Sequence, residues 1–106
     1  MHRMTNNDMQ LLYLLMTCYY HCTFRLSEQR CREITDKRAM FSVVARHYGA
    51  KYTDIAQFLL LKSHATVIHS VRVMKGYIDV YPEFKRQYND IIEEFEFRKT
   101  VGILAQ

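Results

Sequence analysis

Lys62-Ser63-His64-Ala65-Thr66-Val67-Ile68-His69-Ser70-Val71-Arg72-Val73-Met74-Lys75 is the stretch on which the fold turns. Val67, Val71, Met74 and Ile78 recur at helical spacing and make a narrow apolar stripe. Ser63 stands where an N-cap residue is favoured, because its hydroxyl can accept from an otherwise unpaired backbone N–H of the first turn. His64, Ala65, Thr66, His69 and Arg72 lie off the stripe, and no acid occurs over the first four turns. Such a helix suits insertion beside a polyanion. It equally suits a half-buried helix with a polar back.

The neighbouring segments extend this pattern. Thr53 is placed to cap a short helix through Asp54-Ile55-Ala56-Gln57-Phe58-Leu59-Leu60, and a turn near 61–63 joins it to the longer basic helix. A two-turn helix, a short turn and a longer basic helix make a helix-turn-helix pattern. Downstream, Gly76 weakens the helix end. Pro82 opens a new helix, and Tyr81 before it is pushed out of helical geometry. That last helix, Glu83 to about Arg98, puts Phe84, Tyr88, Ile91, Ile92 and Phe95 on one face, and residues 100–106 read as a fraying tail.

Toward the N-terminus, Thr5-Asn6-Asn7-Asp8 offers several N-caps to a helix ending near Tyr20. Its Leu11, Leu12, Leu14, Leu15 and Met16 are apolar on more than one side, which predicts deep burial. A connection over 21–27 follows, with Leu26 as a core plug. Arg30, Arg32, Lys37 and Arg38 then form a basic cluster broken by Glu33 and Asp36. Asp36 is placed to cap a helix over 37–48 with Met40, Val43, Val44 and His47 or Tyr48 inward, and Gly49 suits a left-handed C′ position.

Composition agrees with an all-α small helical bundle forming a single domain, 1–106. The chain is 49% hydrophobic, and only three glycines and one proline interrupt it, which disfavours a sandwich or barrel. Residues 1–75 hold eleven Lys/Arg against five acids, whereas 76–106 hold four against six, so one side is basic and the C-terminal part mildly acidic. Three cysteines and no recognisable signal peptide predict reduced thiols in a cytoplasmic protein. The apolar run Met9–Cys22 is shorter than a membrane span and broken by Gln10, Thr17 and His21, so it reads as a core helix and no membrane partner is expected.

Catalytic and cofactor chemistry find little footing. No Gly-Lys-Ser/Thr loop is present, so neither nucleotide binding nor ATPase activity is expected. His64 and His69 lack a nucleophile or carboxylate partner, so no enzyme is predicted. Cys18, His21 and Cys22, with Cys31 nearby, read as small core residues before they read as a zinc site, and no metal or other cofactor is expected. His47 reads as a capping or semi-buried histidine, and the tyrosines and phenylalanines default to the core.

Three segments together resemble a known family. They are Tyr19-Tyr20 with Ser27-Glu28-Gln29-Arg30-Cys31-Arg32-Glu33-Ile34; then Arg38-Ala39-Met40-Phe41; then Asp54-Ile55-Ala56 with Lys62-Ser63-His64-Ala65-Thr66-Val67-Ile68-His69-Ser70-Val71-Arg72. Their order and near-equal spacing, over about Asp8 to Phe95, resemble the C-terminal DNA-binding domain of the bacterial replication initiator DnaA, a TrpR/DnaA-like helix-turn-helix fold.

The resemblance implies double-stranded DNA as the partner, with the basic helix in the major groove. By that match Arg38 is the minor-groove arginine, Lys62 replaces the signature arginine, and His64, Thr66 and His69 stand at contact positions. The backbone around Thr53 and Ile55 approaches phosphates. Arg30, Arg32, Lys37 and Arg72 complete the candidate DNA-binding set. Ser63 replaces the signature aspartate, Ala65 the first paired threonine, and Leu60 and Leu61 the preceding glycines. A serine accepts from a cytosine amino group less strongly than an aspartate, while Ala65 remains able to touch a thymine methyl. The implied role is a freestanding sequence-specific binder regulating replication initiation at an origin, or transcription. The alternative is a protein-interaction module, contacting a replication or transcription protein through Leu60-Leu61.

Overall fold

A computed structural model describes residues 4–24 and 32–104; side chains of Arg32 and of 102–104 fall outside that description. Among the described residues there are five helices and no strand. They are α1 (Asn6–Tyr20), α2 (Arg32–His47), α3 (Tyr52–Phe58), α4 (His64–Val80) and α5 (Pro82–Leu104). The expected plug Leu26, together with Arg30, Cys31 and the final residues 105–106, lies outside the described residues.

Local chemistry sets most helix ends. Thr5 and Asp8 form a capping box: the Asp8 N–H donates to the Thr5 hydroxyl at 3.1 Å, and the Thr5 N–H donates to the Asp8 carboxylate at 3.0 Å. Burial pushes the Asp8 pKa up, but hydrogen bonds from Lys99 and Thr5 outweigh it and hold the carboxyl below its ordinary value. The Lys99 ammonium, on α5, reaches that carboxylate at 2.6 Å and ties the last helix to the first.

α2 begins at Arg32, more than a turn before the expected boundary, so Asp36 lies inside the helix and caps nothing. No glycine or proline interrupts 32–36, and Glu33 in the first turn favours the positive helix end. α2 ends as the sequence predicts. Gly49 has φ 88°, the Ala50 N–H donates to the Ala45 carbonyl, and the Gly49 N–H donates to that of Arg46, each at 3.0 Å, which is a Schellman closure.

α3 opens one residue earlier than Thr53 would set it. Lys51 is its N-cap and makes no side-chain cap bond, while Thr53 is the second helical residue. Arg46 shortens the link: its Nη1 donates to the Ala50 carbonyl at 2.8 Å and its guanidinium lies 4.2 Å from the Tyr52 ring centre. At the far end, Leu60 takes φ 60°. The Leu61 N–H donates to the Ala56 carbonyl at 2.9 Å and the Leu60 N–H to that of Gln57 at 3.2 Å, so a second Schellman closure is built around a leucine.

A left-handed conformation costs an L-residue roughly 1–2 kcal/mol and glycine almost nothing. Leu60 is 55% exposed, so its side chain returns only part of that cost. Leu60→Gly is expected to raise stability by about 1 kcal/mol in urea unfolding, and Leu60→Ala, which keeps the strain, to give no gain. A loss of stability in the glycine variant would contradict the strain.

α4 runs through Gly76 to Val80, beyond the weakening the glycine suggests. Tyr77 and Ile78 pack against the core just after it and offset a penalty of about 1 kcal/mol. Tyr81 is extended and Pro82 opens α5, as the sequence predicts. α5 continues to Leu104, so residues 100–104 are helical rather than a frayed tail; Thr100 Oγ1 donates to the Glu96 carbonyl at 2.9 Å.

The core joins all five helices. Phe41 is its aromatic hub, stacked on Phe58 with ring centres 5.3 Å apart, while Phe24 bridges Phe41 to Tyr13 edge-on. Tyr20 and Tyr48 fasten α1 and α2 to α5 through Gln87 and Glu96, and burial pushes both phenol pKa values well above normal. Burial is one-sided where the sequence predicts more. Leu14 is 49% exposed and Cys18 is exposed, because only the flank of α1 that meets α2, α3 and α5 is covered. Tyr19, Tyr81 and Phe97 also depart from the core default and face solvent.

Candidate nucleic-acid interface

α4 packs most extensively on α2, then on α3 and α5, and does not touch α1 among the described residues. Its inner stripe is the expected one: Val67, Val71 and Met74 are buried and Ile78 is half-buried. Because the helix repeats every 3.6 residues, Ala65, His69, Arg72 and Gly76 fall on the opposite side, and all four are exposed. Thr66 flanks them, while His64 and Lys75 fall beside the inner stripe, all three exposed, with Lys62 and Ser63 exposed at the helix entrance. From Lys62 to Ile78 no acid occurs; the first is Asp79, in the fifth turn.

Ser63 is the N-cap, its hydroxyl oxygen accepting from the Ala65 N–H at 3.1 Å. One lone pair is thereby committed, and what remains for a ligand is chiefly the hydroxyl proton. A groove between α2 and α4 borders the face on one side. Thr35, Asp36 and Ala39 line it across from His69, Val73 and Tyr77, which sets the Asp36 carboxylate at the edge of the basic surface.

The other candidates divide. Thr53 is exposed in the first turn of α3, and the adjoining Ile55 is fully buried with its N–H donating to the Lys51 carbonyl at 3.0 Å, as an ordinary helical bond. Arg38 is half-buried inside α2, not at a helix opening, and its Nε donates to the Phe24 carbonyl at 2.7 Å. It therefore anchors the segment before α2 to the core. Lys37 is half-buried with its ammonium 5.3 Å from the centre of the Tyr20 ring. Arg30 and the Arg32 side chain lie outside the described residues. The structure thus groups Lys62, Ser63, His64, Ala65, Thr66, His69 and Arg72 on one helix, and turns Lys37 and Arg38 toward the protein itself.

Two further exposed cations lie outside the expected contact set. Lys51, at the N-cap of α3, and Lys75, one turn beyond Arg72, are both exposed. Lys75 was legible from helical spacing alone; Lys51 was not, because a lysine in a link carries no positional signal.

Elsewhere the chemistry is sparse. His47 is exposed, with its Nδ1 3.3 Å from the Tyr88 hydroxyl. No group of three or more His, Cys, Asp or Glu side chains among the described residues is arranged to hold a metal ion. No described helix is long and apolar enough to cross a membrane. These features define an all-helical protein with an exposed face on α4 that carries no acid before Asp79. In comparisons with known proteins, the chain matches no family model, no curated protein and no solved structure.

Proposed function

We propose that the chain binds double-stranded DNA, with α3, residues 59–63 and α4 acting as a helix-turn-helix of the kind found in the DnaA C-terminal domain. The observation that carries this reading is the outer face of α4, exposed, cationic and free of acid as far as Asp79, opposite the buried Val67–Val71–Met74 stripe. A helix about 10–12 Å across fits the major groove. Arg72, Lys75 and Lys62 neutralise phosphates and release counterions, while His64, Thr66 and His69 offer hydrogen-bonding groups to base edges. Leu60 adds support, since the family carries glycine where this chain places a left-handed residue.

In this reading α4 and Lys62 carry the binding, and Arg38 supports the fold through Phe24. Sequence-specific binding would serve regulation of replication initiation or of transcription. The competing protein-interaction surface at Leu60-Leu61 has less behind it. Leu59 is buried and Leu61 half-buried, which leaves one exposed leucine, and single exposed leucines are ordinary.

Selection from a random duplex pool at two salt concentrations tests the proposal. The expected result is an enriched motif whose affinity falls steeply with salt. Absence of binding at the lower salt concentration would overturn it.

A further inference from the structure

The opposite side of the molecule carries a second surface, independent of the DNA reading. α1 and α5 run antiparallel: Tyr20 reaches Gln87 at 2.8 Å, Tyr19 reaches Asp90 at 3.1 Å, and Asp8 meets Lys99 at 2.6 Å, so numbers rise along one helix as they fall along the other. Between them lies a groove lined by Leu15, Tyr19, Asp90, Glu93, Glu94 and Phe97, closed at one end by Arg98. Asp90, Glu94, Phe97 and Val101 follow one another at helical spacing along the outer face of α5. The strip is therefore acidic at its start and apolar at its end. Phe97 is 63% exposed and Val101 46%.

We propose that this groove docks a basic, amphipathic helical segment of another protein. Charge complementarity decides the occupant. Three carboxylates, offset by the Arg98 guanidinium that pairs with Glu94 at 3.1 Å, repel nucleic acid and anionic lipid and attract Lys or Arg. Phe97 and Val101 require large apolar side chains in return, at the i, i+3, i+4, i+7 spacing by which an amphipathic helix enters a groove. Two faces of a second copy fail one demand or the other. Its own α1–α5 face would oppose carboxylate to carboxylate, and the outermost strip of its α4, Ala65, His69, Arg72 and Gly76, brings cations without a large apolar side chain.

A displayed library of random 16-residue peptides, selected on the intact protein, tests this proposal. The expected winners carry Lys or Arg interleaved with Leu, Ile or Phe at helical spacing. They should bind at least tenfold more weakly to Phe97→Ser and to Glu93→Lys, two exposed positions whose replacement leaves the circular dichroism unchanged. No enrichment, an acidic consensus, or winners indifferent to both variants would overturn the proposal. So would self-association in sedimentation equilibrium that Phe97→Ser abolishes, because that assigns the groove to a second copy. Loss of duplex binding in the preceding selection leaves these outcomes unaffected, so the two proposals fail separately.

Discussion

Reversing charge at Arg72 and Lys75 together is expected to weaken duplex binding about a hundredfold at moderate salt, roughly tenfold from each position. Both side chains are exposed on α4, and neither makes an ion pair among the described residues, so the substitutions remove nothing the fold uses. Each reversal deletes one phosphate neutralisation and adds a repulsion. The slope of log affinity against log salt should therefore flatten by about 0.9 for each phosphate that is no longer neutralised. Arg86→Glu, the same charge reversal as either single substitution and at an exposed position on α5, is the control and should alter affinity far less than either one alone. His69→Ala should redistribute preference among sequences, where the charge reversals weaken binding to all of them. Fluorescence anisotropy on one enriched and one scrambled duplex distinguishes these effects. Equal, small losses in the Arg72→Glu/Lys75→Glu variant and in the Arg86→Glu control would sink the assignment of α4 as the DNA-facing helix.

Phe41→Ala is expected to cost about 3–5 kcal/mol, the upper range for a single core truncation. Phe41 has no solvent exposure, stacks on Phe58 with the rings 11° from parallel, and meets Phe24 with centres 6.2 Å apart. Removing the ring leaves a cavity that three helices and the segment before α2 cannot easily close. Set against a typical domain stability of about 5–15 kcal/mol, the loss removes a fifth or more. It should lower Tm by roughly 15–30 °C in a chain of this size. The contrast is Phe97→Ala, at 63% exposure, which should stay within about 0.5 kcal/mol of wild type. Calorimetry on the two variants checks both values. A small effect at Phe41 would mean that the aromatic stack does not hold the core.

These two expectations rest on different kinds of information, and the division runs through the whole molecule. Where a helix end depends on a bond spanning three to five residues, the sequence alone determined it. Thr5 with Asp8, Gly49 after α2, Ser63 before α4 and Pro82 at the head of α5 all stand where their chemistry places them. The same holds for the Val67–Val71–Met74 stripe, because helical period fixes which side chains share a face. The outer face of α4, and with it most of the candidate interface, followed from that stripe.

Tertiary structure decided what depends on distant neighbours. Arg38 looked like a free cation until the Phe24 carbonyl, fourteen residues earlier in the chain, was brought to its Nε. Asp36 looked like a cap, and α2 extends past it toward the N-terminus. Leu60 is held left-handed by a closure that glycine would favour, so its residue type gave no warning. Leu14, Cys18, Phe97 and Val101 are as apolar as their buried neighbours, yet face solvent because among the described residues no element covers them. A hydrogen bond within one turn is encoded in one turn of sequence. Which flank of an apolar helix is covered is set by the packing of all the others.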